Sequence, residues 1–419
     1  MDKLFFLSFV FLASALLEFY AFQNVKTLFP LSSGKRNKIF RLIYLSFTSL
    51  ILLSFVFYNF GDREFLGKGV LRFILFLMFM NFLAKLFLVI FLLIDDFRRG
   101  IKWTIRKLSK PKKKLQKGEM SRSEFLAKTG LVVAALPLVS MSWGIVSGAH
   151  DYRIRRVKLP LKNLPSSIHG LKIAQISDIH SGSFWSKTAV KGGVEMLMDE
   201  KADLIFFTGD LVNNRAAEMK DWISVFSKIK APMGVFSSLG NHDYGDYVSW
   251  ESEAAKRQNL EDLKIIQKNM GWQLLANENR SIEVAGEKIG VVGVENWSNK
   301  ARFPQYGDLP LAMNGLHDTS LNILLSHDPS HWRAEVLPKY PNIDLTLSGH
   351  THGMQFGVDI PGFKWSPVQY LYEEWAGLYS QNHQHLYVNR GFGYIGYPGR
   401  IGILPEITIF TLEKTSSFS

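Results

Sequence analysis

Three apolar runs dominate the first hundred residues and constrain the fold more than any other feature. Leu4 to Phe22, Leu42 to Phe60 and Phe73 to Ile94 each hold about 19 to 22 residues. At 1.5 Å rise per residue, that length crosses a hydrocarbon layer of roughly 30 Å. A buried helix of a soluble protein would keep a charged face, and these runs have almost none. Gly130 to Ser147 is a weaker run, rich in Ala, Val and Ser and interrupted by Pro137. It reads as a fourth span or as an export signal. The division that follows is three spanning helices in 1–95, a basic linker in 96–129, the fourth apolar segment in 130–148 and a soluble domain in 150–419.

Charge orients these spans. Between Arg98 and Lys128 twelve Lys and Arg residues face only Glu119 and Glu124, a surplus that supplies most of the formal net charge of +12. Beside apolar runs, such a stretch is a cytoplasmic flank, so no nucleic-acid partner is expected. Gln23 to Arg41 carries five basic residues and no acid, and it belongs on the same side. Four spans then put the N-terminus and everything after about residue 148 on the outer face of a plasma membrane. Ser121-Arg122-Ser123-Glu124-Phe125-Leu126 resembles a twin-arginine export signal with Ser123 in place of the second arginine, which leans bacterial. Cleavage after Ala149 would suit the small residues Ser147 and Ala149, although retention is the favoured reading. Glu18 and Lys85 are the charges deepest in the runs, and a structural ion pair between the first and third helices is the expected solution.

From about Asp151 short β-rich runs alternate with helical stretches, as in an α/β domain whose sheet is covered on both faces. The strand candidates are 171–176, 204–207, 234–239, 289–294, 321–325, 343–347, 386–388 and 407–412. Helical stretches are 187–200, 217–229 and 251–270. Five strands lead into polar turns: Asp178-Ile179-His180, Gly209-Asp210, Gly240-Asn241-His242-Asp243, Ser326-His327-Asp328 and Gly349-His350-Thr351-His352. In open α/β sheets the carboxyl ends of strands form the ligand edge. One histidine in a turn is more often a hydrogen-bonding residue than a ligand, but five such turns reverse those odds. The other six histidines, at 150, 169, 317, 331, 383 and 385, have no comparable setting and read as structural or surface residues.

The chain has no cysteine, so disulfides, thiolate ligands and a cysteine nucleophile are excluded. Imidazoles, carboxylates and one amide suit two adjacent divalent ions such as Mn, Fe or Zn. Ions about 3.5 to 4 Å apart can hold a bridging hydroxide and clamp phosphoryl oxygens during in-line attack.

In this order the five blocks resemble the calcineurin-like metallophosphoesterase superfamily, over about residues 168 to 412. The nearest pattern is a membrane-anchored branch with a Gly-His-Thr-His-Gly-Gly-Gln motif, in which Met354 here replaces the second Gly of that pair. The resemblance implies a four-layer αββα sandwich and a metallophosphoesterase catalytic domain in 150–419. It also implies that Asp178, His180 and His352 bind one ion, that Asn241, His327 and His350 bind a second, and that Asp210 bridges them. His242 would act on the phosphate or the leaving oxygen, with Asp243 orienting it. Arg390 and Arg400 are candidates for the phosphate pocket.

The function expected is a membrane-anchored phosphoesterase acting on a phosphodiester or phosphomonoester of an envelope or lipid-linked substrate. An inverted topology would instead suit a lipid diphosphate at the cytoplasmic face. A metal-binding sensor without turnover is a competing class, as is a transporter with an appended domain, against which the lack of a repeat argues.

Overall fold

The computed structural model describes residues 3–28, 34–61, 63–108, 122–162 and 164–415. Ser121 of the export-like motif and the lysines at 110, 112, 113, 114 and 117 lie outside the described residues. The chain forms two compact units, Met1–Ser142 and Trp143–Ser419.

In the first unit, α1 (Lys3–Leu28), α2 (Lys35–Phe60), α3 (Arg63–Leu108) and most of α4 (Arg122–Val146) are built from the apolar runs. Lys35–Phe60, Ile74–Ile105 and Lys128–His150 are long and apolar enough to cross a membrane, and Leu7–Gln23 is a shorter apolar helix. α3 continues past Ile94 to Leu108, so the start of the basic stretch is helical. Pro137 does not break α4. It removes one amide donor, a loss that a helix in lipid tolerates when neighbouring groups compensate.

Glu18 and Lys85 meet between α1 and α3 as an ion pair. Thr48 Oγ1 donates to Glu18 Oε2 at 2.7 Å, and Asn81 Nδ2 donates to Oε1 at 2.6 Å. Lys85 Nζ also lies 4.6 Å from the Tyr44 ring centre. Groups on α2 and α3 thus satisfy one carboxylate of α1, as a low dielectric requires.

The second unit is a sandwich of two six-stranded sheets. The first sheet holds β1 (Arg153–Leu161), β2 (Lys172–Ile176), β3 (Leu204–Thr208), β4 (Val235–Ser238) and β5 (Gln273–Leu274), with the last strand of the chain inserted between β1 and β2. The second sheet holds β6 (Glu278–Val284), β7 (Glu287–Gly293), β8 (Leu321–Leu325) and β9 (Leu345–Ser348). A separate hairpin follows, β10 (Val358–Ile360) with β11 (Phe363–Trp365), before β12 (Gly377–Gln381) and β13 (Gln384–Val388) complete the second sheet. The chain's last strand is β14 (Glu406–Lys414).

Three apolar layers hold the sandwich together. Ile173, Leu204 and Phe206 of the first sheet meet Val291, Ile323 and Leu347 of the second in the central core. Outside the first sheet, α5 (Lys187–Asp199), α6 (Ile223–Phe226) and α7 (Glu253–Met270) supply Val190, Leu197, Phe226 and Leu263. Outside the second, Leu309 and Ala312 of α8 (Leu309–Met313) pack with Trp332 and Val336. The strands are buried on both faces, which explains their nearly continuous apolar sequence. The expected four-layer αββα arrangement is therefore the one observed.

Parallel neighbours β2, β3 and β4 end together, as do β8 and β9. The chain must turn sharply at that edge, and it does so in left-handed conformations at residues that are not glycine.

Candidate metal centre

β2 ends at Ile176 and delivers Asp178 and His180; β3 delivers Asp210; β4 delivers Asn241 and His242. From the second sheet, β8 delivers His327 and β9 delivers His350 and His352. Cross-links between turns fix the edge: Asp178 N–H donates to Gly209 O at 2.9 Å, His180 N–H to Asp210 O at 3.1 Å and Gly349 N–H to His327 O at 2.9 Å. The turns pack so closely that a Cβ at position 349 would lie 2.1 Å from Asp178 Oδ2. One at position 240 would lie 2.2 Å from Asp210 Oδ1. Glycine is required at both positions.

Asp178, His180, Asp210, His350 and His352 have φ of 52°, 49°, 61°, 71° and 50°. Left-handed backbone is unfavourable for residues with a Cβ and gathers at functional sites. Five of the seven candidate ligands are held in it.

The side chains converge. His352 Nε2 lies 3.2 Å from Asp178 Oδ1 and 3.0 Å from His180 Nε2. Asp210 Oδ2 lies 3.2 Å from His327 Nε2 and 3.5 Å from His180 Nε2. His350 Nδ1 faces Asn241 Oδ1 at 2.8 Å. Two carboxylate-imidazole groups result, Asp178 with His180 and His352, and Asp178 with Asp210 and His327, each compact enough for one ion.

The electrostatics call for a cation. Burial pushes His180 well below the ordinary histidine range, leaving a neutral ring with a free lone pair. Burial disfavours ionised Asp178 as well, but His352 and His327 outweigh it and hold the carboxyl below its usual range. His327 shows the sign of the field: burial opposes its protonation, yet Asp210 and Asp178 push it up to about 10. Its Nδ1–H donates to Thr208 O at 2.7 Å, which turns Nε2 toward Asp210. That nitrogen is buried against the Asp210 carboxylate, and His180 Nδ1 is buried with no hydrogen-bond partner. A divalent ion can replace the proton and satisfy such groups together, so the donor set fits one.

A cavity of about 210 Å³ opens over the cluster, with His180, Asp210, Asn241, His350 and His352 in its floor. His242 lines it too, its backbone amide donating to Asp210 Oδ1 at 2.8 Å. The ring Nδ1–H donates to Asn213 O at 2.8 Å, so Nε2 is the nitrogen left for other partners.

Asp243 does not orient this ring. Its carboxylate is fully buried and accepts from the amides of Asp210, Leu211, Val212 and Gly240, at 2.8 to 3.3 Å. Those four donors occupy both oxygens, so Asp243 staples the β3 and β4 turns together and Asn213 does the orienting.

Arg390 and Arg400 are not brought into the cavity. Arg390 Nη1 donates to Glu406 Oε2 at 2.6 Å, and its Nε lies 3.0 Å from Asp359 Oδ2. Arg400 is buried behind His352, bonded to the carbonyls of residues 390, 391 and 393. None of the six other histidines lines the cavity; His331 is a buried staple between Ser326 and Glu335.

Sequence reasoning missed the walls, which are Tyr247, Arg302, Phe303 and Ile395. It also missed Tyr372, whose hydroxyl is 2.9 Å from His350 Nε2 and 3.1 Å from Asp328 Oδ2. All five lie in loops without a recurring pattern.

The match to known proteins follows the same division. Residues 171–354 match the family described as calcineurin-like phosphoesterase, and residues 2–149 match a probable calcineurin-like phosphoesterase transmembrane domain. The uncharacterized metallophosphoesterase YkuE of Bacillus subtilis is 30% identical over 305 residues, which cover 71% of this chain and 99% of YkuE. The chain belongs to the calcineurin-like metallophosphoesterases. It is a metal-dependent hydrolase and a membrane protein of that family. A zebrafish transmembrane protein with a metallophosphoesterase domain is 29% identical over 68% of this chain, and the match spans 62% of that relative's length. The UDP-2,3-diacylglucosamine pyrophosphatase LpxG of Chlamydia trachomatis is 27% identical over 62% of this chain and 89% of its own length.

Proposed function

We propose that the chain hydrolyses a phosphate ester of a lipid-linked or envelope substrate with two divalent ions of the Mn, Zn or Fe type. In this reading Asp178, His180 and His352 hold one ion, Asn241, His327 and His350 hold the other, and Asp210 bridges them. Bound there, the ions supply a nucleophile from water and neutralise charge on the phosphoryl oxygens. The protein's own groups do the rest. His242 lines the cavity and, with both ring nitrogens protonated, donates from Nε2 a proton to the leaving oxygen or a hydrogen bond to the phosphoryl group. Asn213 O accepts from Nδ1 and fixes the ring's orientation. Arg302 at the wall meets substrate charge as it enters.

The observation that carries this reading is the set of five candidate ligands in left-handed backbone, Asp210 among them. Strain at so many adjacent residues is more than a purely structural turn requires. The basic stretches at 23–41 and 96–129 support a catalytic unit on the outer face. A lipid-linked diphosphate is the second substrate class, favoured by the likeness to LpxG.

The test is turnover of phosphomonoesters and phosphodiesters by the full chain in detergent, loaded in turn with Mn, Zn and Fe. Metal-dependent turnover that Asp210→Asn abolishes is the expected result. Two bound ions with no turnover on any ester would favour the sensor reading, and no bound ion would overturn the assignment.

A further inference from the structure

The catalytic unit carries an exposed apolar surface that the hydrolytic centre does not use. Its main part is the β10–β11 hairpin, which pairs with neither large sheet. Ile360 and Phe363 flank the Pro361-Gly362 tip, paired across the strands, and are 58% and 55% exposed. Tyr370 and Leu371, on a turn nearby, are 76% and 57% exposed. A hairpin tip in water is ordinarily polar, and apolar side chains gathered on one surface mark an interaction site.

The surface begins where the last spanning helix ends. Trp143 and Val146 in the final turn of α4 are 69% and 75% exposed. That turn belongs to the second unit and packs within it. Arg400 N–H donates to Gly144 O at 3.0 Å, and a Cβ at position 144 would lie 2.9 Å from Ile401 Cγ1. Ile401 in turn bridges to Phe356, and Gly357 N–H donates to Ile401 O at 2.9 Å. Phe356 leads directly into β10. An unbroken set of contacts therefore joins the end of the span to the base of the hairpin. Trp185 stands beside the same exit, its ring 5.2 Å from His150. Exposed tryptophan and tyrosine around a helix end are the usual composition at a membrane-water boundary.

We propose that the β10–β11 hairpin and the Tyr370–Leu371 turn enter the headgroup and upper acyl region of the bilayer that α4 crosses. The occupant of this surface is lipid, because the surface is continuous with a helix that already ends there. A three-residue strand is about 10 Å long at 3.3 Å per residue. That reach matches the depth of roughly 5–10 Å to which interfacial elements bury.

This contact would tether the turn beside Tyr372 to the membrane surface. Leu371 precedes Tyr372, which touches His350, and exposed Met354 lies two residues beyond His352. If the hydrolytic reading above holds, this contact favours substrates whose phosphate lies at headgroup level. The surface itself stands on α4 spanning the bilayer, not on that reading.

The absence of cysteine makes the test direct. Ile360→Cys, Phe363→Cys and Leu371→Cys in the full chain are labelled with an environment-sensitive fluorophore and placed in phosphatidylcholine–phosphatidylglycerol nanodiscs. Asn269→Cys, on exposed helix surface, is the control, and an unchanged melting temperature verifies folding of each variant. Spin-labelled lipid should quench the three probes several-fold more than the control, with aqueous iodide reaching them less. Quenching no greater than at position 269 overturns the proposal. So does a probe shielded from iodide yet untouched by spin-labelled lipid, which marks a second copy or a protein partner on the surface. No outcome depends on turnover.

Discussion

At the scale of single residues, His242 and Asp243 are neighbours in sequence with different tasks. His242→Ala removes the free Nε2 at the cavity and should lower kcat by about 10²–10⁴ with ion content unchanged, as read by turnover and metal analysis together. Asp243→Ala leaves four buried amides without an acceptor. Its main effect should be on stability, with a loss of about 1–3 kcal/mol or more measured by thermal unfolding. The seven candidate ligands were legible because each follows an apolar strand in a polar turn of hard-metal donors. Arg302 and Tyr372 were not, since a single Arg or Tyr in an irregular loop looks the same whether it meets substrate or solvent. Arg390 and Arg400 misled for the complementary reason: Arg beside Gly suggests a phosphate pocket, and only burial reveals that their donors are already taken.

At the scale of elements, strands buried on both faces could be read from composition alone. β2, β3, β8 and β9 appear in sequence nearly as they are in space. β1 and β6 were missed because exposed basic and acidic side chains interrupt their apolar pattern. The helix expected over 217–229 is instead a 3₁₀ turn at Ala216–Met219 and a single turn at Ile223–Phe226. β14 joins β13 through Glu406, which accepts from Arg390, Tyr387 and Thr408, each at 2.6 Å. Burial disfavours its ionised form, but Arg390 and Arg155 outweigh that and hold the carboxyl below the usual glutamate range. A depressed carboxylate stabilises fully above its unfolded pKa, about 4.3, and that stability is lost as pH falls through the lower folded value. Melting temperature should therefore drop below about pH 4. Glu406→Gln should start about 3–5 kcal/mol less stable and show a shallower acid decline. In the spanning unit, Lys85→Met strands Glu18 among apolar helices and should lower stability in detergent. Adding Glu18→Gln should restore part of the loss, a result read from the melting temperatures of the single and double variants.

At the scale of the whole molecule, the membrane segment, the linker charge and the αββα architecture were all legible in sequence. The hairpin surface was not, because exposure cannot be read from composition. Chelation of the full chain should lower its melting temperature, and returning the ions should restore it in proportion to the logarithm of their concentration. Residues that supply the candidate ligands run from Asp178 to His352 and come from both sheets. No fragment that stops short of β9 can assemble the set. Assembly of this candidate ligand set is thus a property of the finished fold, and metal binding by a newly made chain would report that the sandwich has closed.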